Sequence, residues 1–531
     1  MREIRVDRSA VLGEHDRFYS FCAGIGRAGL LLRRDLQEHV AMAARECGFR
    51  YLRFHGLLQD DLGIYREDRA GNPIYSWQYA DEVYDFLMEI GVRPFMVFDF
   101  MPEKLASGSQ TVFWERANVT PPKDYGKWGA LIGAVVKHFT QRYGRGEVAQ
   151  WLFEVWNEPD NPPFFTGGME EYFRLYEAAA RAVKTVCADY RVGGPAIAGN
   201  NEWIGALIAY CTRNNVPIDF VTSHSYSTKG APAAPASKDG RPAKRPPIPD
   251  WTPGPSWPLG NVAYNPRGVE DGVRLALEAV RNSSRPDLDV YFTEWGLTWD
   301  YWDPQRDSYQ AASFLLSRIR SVKGIKSLSY CEISDVFEED GPPTGNFHGG
   351  FGLVNLQGIR KPAYFAYWFL HRLGGLELVC DDPDAVACRE ENAVQVLFWN
   401  AAVRQDCENK QYYCRDTPPL PAGRAAVTVN GLAPGDYCLT AYGAGYRRND
   451  AYTLYLNMEE PAGSLSRGQV AQLKAGADGA PLLQKTVAAD GSGCCRMEFD
   501  LRENDICLLT LEAAEPRAAQ KTEAFKFETN N

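Results

Sequence analysis

No run of eighteen apolar residues occurs in the 531-residue chain, so nothing in it is built to span a bilayer. Positive charge is in deficit, with 57 Lys and Arg against 68 Asp and Glu and a net charge of −11. There is no basic stripe interleaved with aromatics, and the balance argues against a nucleic-acid partner. The opening Met1-Arg2-Glu3-Ile4-Arg5-Val6-Asp7-Arg8 lacks the apolar core of a signal peptide. The 13 cysteines are odd in number and scattered through apolar runs. Cys494-Cys495 and the distant Cys407 and Cys414 have no second pair at zinc-ligand spacing. They read as free, mostly buried thiols, and the expected location is the cytoplasm. Apolar and aromatic residues are plentiful, at 45% and 12%, enough for one large core and a smaller one.

Strand-like and helix-like runs alternate along the first two thirds of the chain. The apolar patterning predicts strands over 18–24, 49–54, 93–98, 151–157, 191–196, 218–224, 289–294 and 327–333. Between the first two, Leu36, Val40, Ala43 and Cys47 recur at helical spacing and Gly48 follows as a helix stop. Trp128, Leu131, Ile132, Val135 and Phe139 mark a second helical face, and Val273, Leu277 and Val280 a third. Eight such units over about 350 residues predict an α/β fold, a (β/α)8 TIM barrel, whose active site lies at the C-terminal strand ends. Beyond residue 374 the texture changes to short β-rich runs over 393–399, 425–429, 437–442 and 505–511, separated by turn residues, which predict a β-sandwich. The expected domains are an N-terminal segment 1–17 that joins the sandwich, the barrel 18–373, the sandwich 374–514 and a polar tail 515–531. The sandwich reads as a packing partner of the barrel or as a carbohydrate-binding module.

Two glutamate motifs carry the chemistry: Trp156-Asn157-Glu158-Pro159 and Thr293-Glu294-Trp295. Each closes a buried strand-like run, the fourth and the seventh. Either motif alone is weak, but both together arise by chance in on the order of one chain in a thousand. A retaining glycosidase needs two carboxyl groups about 5–5.5 Å apart, one as proton donor and one as nucleophile, and strand ends hold such a spacing. The residues alone therefore predict an enzyme that cuts sugars.

Further segments carry a family resemblance. They are Phe100-Met101-Pro102, Leu105-Ala106-Ser107-Gly108, Thr111-Val112-Phe113-Trp114, Asn118-Val119-Thr120-Pro121-Pro122-Lys123-Asp124-Tyr125, Phe153-Glu154-Val155-Trp156-Asn157-Glu158-Pro159, Val192-Gly193-Gly194-Pro195 and Ser334-Asp335-Val336-Phe337-Glu338-Glu339. Over roughly residues 18–372 the chain resembles glycoside hydrolase family 39, which contains retaining β-xylosidases and α-L-iduronidases. The resemblance implies Glu158 as acid/base and Glu294 as nucleophile. It implies His224 and Tyr226 as donors that orient the nucleophile, and Asn157 as the grip on the sugar 2-hydroxyl. His55 and Glu339 resemble positions that bind other hydroxyls of the terminal sugar; otherwise they are an edge-of-core histidine and a solvated acidic loop. Trp114 either stacks on a sugar or packs in the barrel rim, and His348 and Phe351 are candidates for a pocket wall. No metal or organic cofactor is implied, because carboxylates and water suffice. The expected partners are a glycoside or oligosaccharide substrate and, as in other members, further copies in a dimer or tetramer.

The chain departs from the family pattern in three places. Where the β-xylosidases have a tryptophan followed by a threonine on strand eight, it reads Cys331-Glu332. That widens the pocket floor, and Glu332 either accepts from a hydroxyl that xylose lacks or points into the barrel. After the nucleophile, Trp295-Gly296-Leu297-Thr298-Trp299 is richer in tryptophan than usual. A loop over 229–258 holds nine prolines together with Trp251 and Trp257, and reads as a subsite wall or a surface insertion. The expected function is a retaining exo-glycosidase on terminal β-D-xylosides. The alternatives are another pyranoside (α-L-arabinopyranoside, galactoside or iduronide) or a non-catalytic carbohydrate-binding protein. Iduronide needs a cationic clamp, and no lysine or arginine stands beside these motifs.

Overall fold

Phe95, Met96, Val97 and Phe98 are all fully buried, as befits a parallel strand covered on both faces. It is one of eight strands: Cys22–Arg27, Tyr51–His55, Arg93–Phe98, Leu152–Val155, Arg191–Ile197, Phe220–Tyr226, Asp289–Gly296 and Ser327–Tyr330. They pair in parallel, in sequence order, and the eighth returns to the first to close the barrel. Each is followed by a helix, beginning with Arg34–Cys47, Gln78–Glu89, Tyr125–Tyr143 and Gly168–Val186 and continuing with Glu202–Asn214, Gly268–Arg281, Gln310–Ser321 and Pro362–His371. The computed structural model describes residues 1–228, 264–343, 345–402, 411–458 and 464–514. The proline-rich loop with Trp251 and Trp257, Cys407 and the tail 515–531 lie outside the described residues. Among those described, no helix is long and apolar enough to cross a membrane, and every cysteine is free.

The helical faces follow from their spacing. Leu36, Val40, Ala43 and Cys47 are buried, and Gly48 ends that helix in the left-handed conformation at φ 74°, where a Cβ would be strained. Helix Tyr125–Tyr143 is capped by the Asp124 side chain, which accepts from the Lys127 amide, and presses Trp128, Leu131, Ile132, Val135 and Phe139 inward.

Several strand bounds differ from the sequence expectation. The first strand starts at Cys22 because Phe18–Ser20 forms a 3-10 turn, begun where the Asp16 carboxylate accepts from the Phe18 amide at 3.1 Å. The fourth stops at Val155, since Trp156 and Glu158 turn into the left-handed region at φ 71° and 46°. The eighth stops at Tyr330, where the chain turns inward to deliver Cys331 and Glu332.

The second domain is one hydrogen-bonded sheet of nine strands, with apolar side chains from both ends of the strand order in one core of their own. The strand Arg2–Glu14 sits inside that sheet, antiparallel to Leu376–Cys380 on one side and parallel to Pro421–Asn430 on the other. Ile4 and Val6 point into its core. Across the domain boundary, the Trp399 indole N–H donates to Ser317 Oγ of the barrel at 2.8 Å.

Because Ile4 is fully buried in an apolar cluster, Ile4→Asp is expected to cost about 4 kcal/mol or more, read as a lowered denaturant midpoint. A loss under about 1 kcal/mol would show that this strand is dispensable to the sheet.

Candidate active site

Inward-pointing side chains alternate along a barrel strand. The lowest inner layer is Cys22, Tyr51, Phe95, Leu152, Phe220 and Tyr291, a separate apolar cluster that plugs the barrel. Two residues further along the second strand comes Arg53, almost fully buried. Its guanidinium donates from Nε to Glu154 Oε1 at 2.8 Å, from Nη1 to Glu294 Oε1 at 2.7 Å, and from Nη2 to Asn157 Oδ1 at 2.8 Å. Thr293 Oγ1 supplies the other oxygen of Glu154 at 3.0 Å. Above this polar layer lie the residues at the strand mouths.

Glu294 reaches the mouth through a bulge. Ser223 pairs with Phe292 but His224 pairs with Glu294, so Thr293 is an inserted residue on the seventh strand. Such an insertion re-aims the side chain after it and places Glu294 over the barrel. Its Oε2 accepts from the Tyr226 hydroxyl at 2.8 Å. The expected donation from His224 to Glu294 is corrected: His224 Nδ1 lies 2.8 Å from Glu158 Oε1 and 3.6 Å from Glu294 Oε2. The bulge advances the carboxylate past the imidazole, which faces the other glutamate instead. Asn161 donates to Glu158 Oε2 at 3.3 Å. One oxygen of Glu158 lies within 4.8 Å of one of Glu294.

The two carboxyl groups are displaced in opposite directions. Burial pushes Glu158 above the usual range; the His224 hydrogen bond and charge oppose this, and the nearby Glu294 adds to it. Burial alone would raise Glu294 too, but the charges on His224 and Arg53 and the Tyr226 hydroxyl hold it down at about 2. His224 is itself raised, since Glu294 and the bond to Glu158 outweigh its burial.

The remaining candidates fall on the pocket wall and rim. Arg53 holds the Asn157 carbonyl oxygen and so fixes the amide in one orientation. His55 Nε2 lies 2.7 Å from Glu339 Oε1, and Glu339 Oε2 accepts from the Tyr301 hydroxyl at 2.5 Å. Glu339 is therefore a pocket-wall residue. His55 stacks on Phe113 at 5.5 Å. Its burial is outweighed by the bond to Glu339, which lifts its pKa to about 9. Glu332 is 5% exposed and points into the barrel, its Oε1 only 3.1 Å from where a Gly24 β-carbon would stand. Cys331 donates its thiol to Oε1 at 2.8 Å, and Oε2 finds no hydrogen-bond partner among the described residues. Burial, against the Cys331 bond, pushes Glu332 up to about 8. His348 and Phe351 are buried behind the wall, His348 against Trp302 and Phe351 beneath Arg306. Trp114 and Trp299 stand at the rim, 61% and 37% exposed.

Glu158, His224 and Glu294 are also the one group of described residues whose ligand atoms converge as a metal's would. Four protein donors, Arg53, Tyr226, His224 and Asn161, each engage one of the four carboxylate oxygens. Arg53, Glu154 and Tyr301 were not legible as site residues from motifs. The signal for Arg53 was its place in Tyr51-Leu52-Arg53-Phe54-His55, where period two puts it on the face of His55. It provides no clamp for a uronic carboxylate, because its nitrogens are committed to Glu154, Glu294 and Asn157.

A closed (β/α)8 barrel with two carboxyl groups of opposed acidity at the ends of its fourth and seventh strands is the frame of a glycoside hydrolase. The family model of the glycosyl hydrolases family 39 matches residues 2–244 and 270–434, and the chain belongs to that family. It is 40% identical over 400 residues to a β-xylosidase of Geobacillus stearothermophilus, covering 73% of this chain and 74% of that one. It is 38% identical over 407 residues to a β-xylosidase of Caldicellulosiruptor saccharolyticus, covering 75% and 78%. The solved structure of a monomeric β-xylosidase from Caulobacter crescentus CB15 superposes with a TM-score of 0.88 at 35% identity, over 97% of this chain and all of that one.

Arg53→Met removes a cation from Glu294, so the acidic limb of kcat/KM is expected to move to higher pH, with a loss of about 10²–10³-fold. An acidic limb that stays in place would show that Arg53 does not set the charge of Glu294. His55 titrates at about 9 in the fold against an ordinary 6.5. It therefore contributes stability that is fully present below pH 6.5 and lost as pH rises through 9. The thermal midpoint is expected to fall across that window, and less so in His55→Gln; equal slopes in the two proteins would sink this assignment.

Proposed function

We propose that the protein is a retaining exo-β-xylosidase, with Glu158 as acid/base and Glu294 as nucleophile, releasing terminal β-D-xylosyl units from xylo-oligosaccharides. The observation that carries the reading is the closeness of the two carboxyl groups, with oxygens within 4.8 Å. This matches the spacing of about 5–5.5 Å in retaining enzymes and leaves no room for the water of an inverting pair at about 6.5–9.5 Å. The names of the bacterial relatives support the choice of xylosides.

In the first step Glu294, ionised and held by Arg53 and Tyr226, attacks C1. The bond from C1 to the leaving oxygen breaks as Glu158 gives that oxygen its proton. Burial and the nearby negative charge of Glu294 raise the Glu158 carboxyl above the usual range, against the His224 hydrogen bond, and the shift favours the protonated form that this step needs. In the second step Glu158 takes a proton from water, whose oxygen bonds to C1 and releases Glu294 as the carboxylate. His224, at hydrogen-bonding distance from Glu158, orients it through both steps. The Asn157 NH2 group faces the 2-hydroxyl, a contact that strengthens as charge builds on C1. His55 and Glu339 hold hydroxyls at the far end of the sugar, and the wall they form with Phe113 suits a terminal residue. Free thiols throughout the described residues suit a reducing compartment, and we place the enzyme in the cytoplasm.

The test is a panel of nitrophenyl glycosides. Release is expected from the β-D-xyloside and none from it by Glu294→Ala. Glu158→Ala is expected to lose about 10²–10⁴-fold on a poor leaving group and to regain turnover of activated xylosides with azide. Turnover retained by Glu294→Ala would refute the assignment. In the wild type kcat/KM is expected to fall as rising pH removes the Glu158 proton, and that limb should vanish in Glu158→Gln. Dialysis against a chelator should leave kcat/KM unchanged.

A further inference from the structure

Two tryptophans stand in water at the mouth of this site. Trp114 and Trp299 are 61% and 37% exposed, yet both are carried on clamped backbone. Trp114 lies at the tip of the hairpin formed by Thr111–Val112 and Ala117–Asn118, and its amide donates to the Glu339 carbonyl at 2.8 Å. Its neighbour Phe113 is the ring stacked on His55. Across the mouth, the carbonyls on either side of Trp299, those of Thr298 and Asp300, both accept from the Arg306 guanidinium. Arg306 is itself buried and lies 3.9 Å over the Phe351 ring. Two residues on, Tyr301 donates to Glu339 Oε2. Glu339 thus ties both tryptophan-bearing loops to His55 in the sugar pocket.

An exposed indole on a loose loop needs no explanation. On fixed backbone it is a flat apolar surface that loses little conformational freedom when something stacks on it. A pyranose presents a C–H face of matching character, and the second ring of an oligosaccharide leaves the pocket through this mouth. We infer that Trp114 and Trp299 are specificity-determining residues that form the leaving-group subsite, each stacking on a pyranose face beyond the scissile bond. The inference rests on the reading of Glu158 and Glu294 as a retaining pair. In such a pair the same subsite receives an acceptor in the second step: the acceptor oxygen forms the new bond to C1, the ester bond to Glu294 breaks, and the acceptor proton passes to Glu158. The two indoles then govern the partition between transfer to a sugar and hydrolysis.

The experiment uses the full chain with p-nitrophenyl β-D-xyloside as donor and D-xylose as acceptor at fixed concentration. It reads xylobiose formed per nitrophenolate released, a ratio independent of how much enzyme is folded. Each of Trp114→Ala and Trp299→Ala is expected to lower the ratio about tenfold, as for an aromatic stack worth about 1.4 kcal/mol, and Trp→Phe at either site to restore most of it. The ratio of kcat/KM for xylobiose over that for methyl β-D-xyloside should fall in parallel. A partition equal to that of the wild type in either alanine variant overturns the inference. If the wild type releases no nitrophenolate from the xyloside, the xylosyl reading of the pocket fails instead, and the same partition is then measured with the glycoside that it does cleave.

Discussion

Everything at the barrel mouth hangs on one buried guanidinium. Arg53 holds three oxygens from two strand ends and the middle of a strand, and its side chain is almost fully buried. A charge this far from water is costly unless each of its donors is engaged. Here the engagement fixes Glu294 as an anion, Glu154 as its counterweight and Asn157 in one amide orientation. Losing any of these would leave a buried charge or donor without a partner. The acidity difference between Glu158 and Glu294 draws on that arrangement together with its neighbours: the charges of His224 and Arg53 and the Tyr226 hydroxyl hold Glu294 down, while burial and the nearby Glu294 lift Glu158.

The barrel was legible because its strands are apolar runs of the right length and its helices repeat at regular spacing with clear stops. The two glutamates were legible because each interrupts such a run at its end. Less was visible where backbone geometry intervenes. The bulge at Thr293 turns Glu294 by one position and leaves His224 facing Glu158, and period-two reasoning does not foresee inserted residues. Arg53 was hidden by its neighbours, since a charged residue in a buried strand is legible only once its partners on other strands are known. Glu332 stood in the sequence as either a ligand for sugar or a barrel residue, and Gly24, with no side chain to block it, lets the carboxyl lie against the first strand.

The wall of the pocket shows how loops acquire the precision of strands. Glu339 joins two loops and a barrel residue by its side chain and carbonyl together, while Arg306 grips a loop from beneath through carbonyl oxygens. Such contacts order long connections without secondary structure of their own, and the glutamate pair below is thereby given a pocket of definite shape.

The strand Arg2–Glu14 gives the molecule an unusual order of assembly. Its residues pair with 425–430, so the sheet is completed by segments separated by roughly four hundred positions in the chain. Such long-range pairing folds slowly because loop closure precedes its reward. The barrel, whose strands pair with sequence neighbours, can form in the interval while this strand waits with Ile4 and Val6 uncovered. A segment waiting in that condition is open to pairing with another chain until its own sheet closes over it.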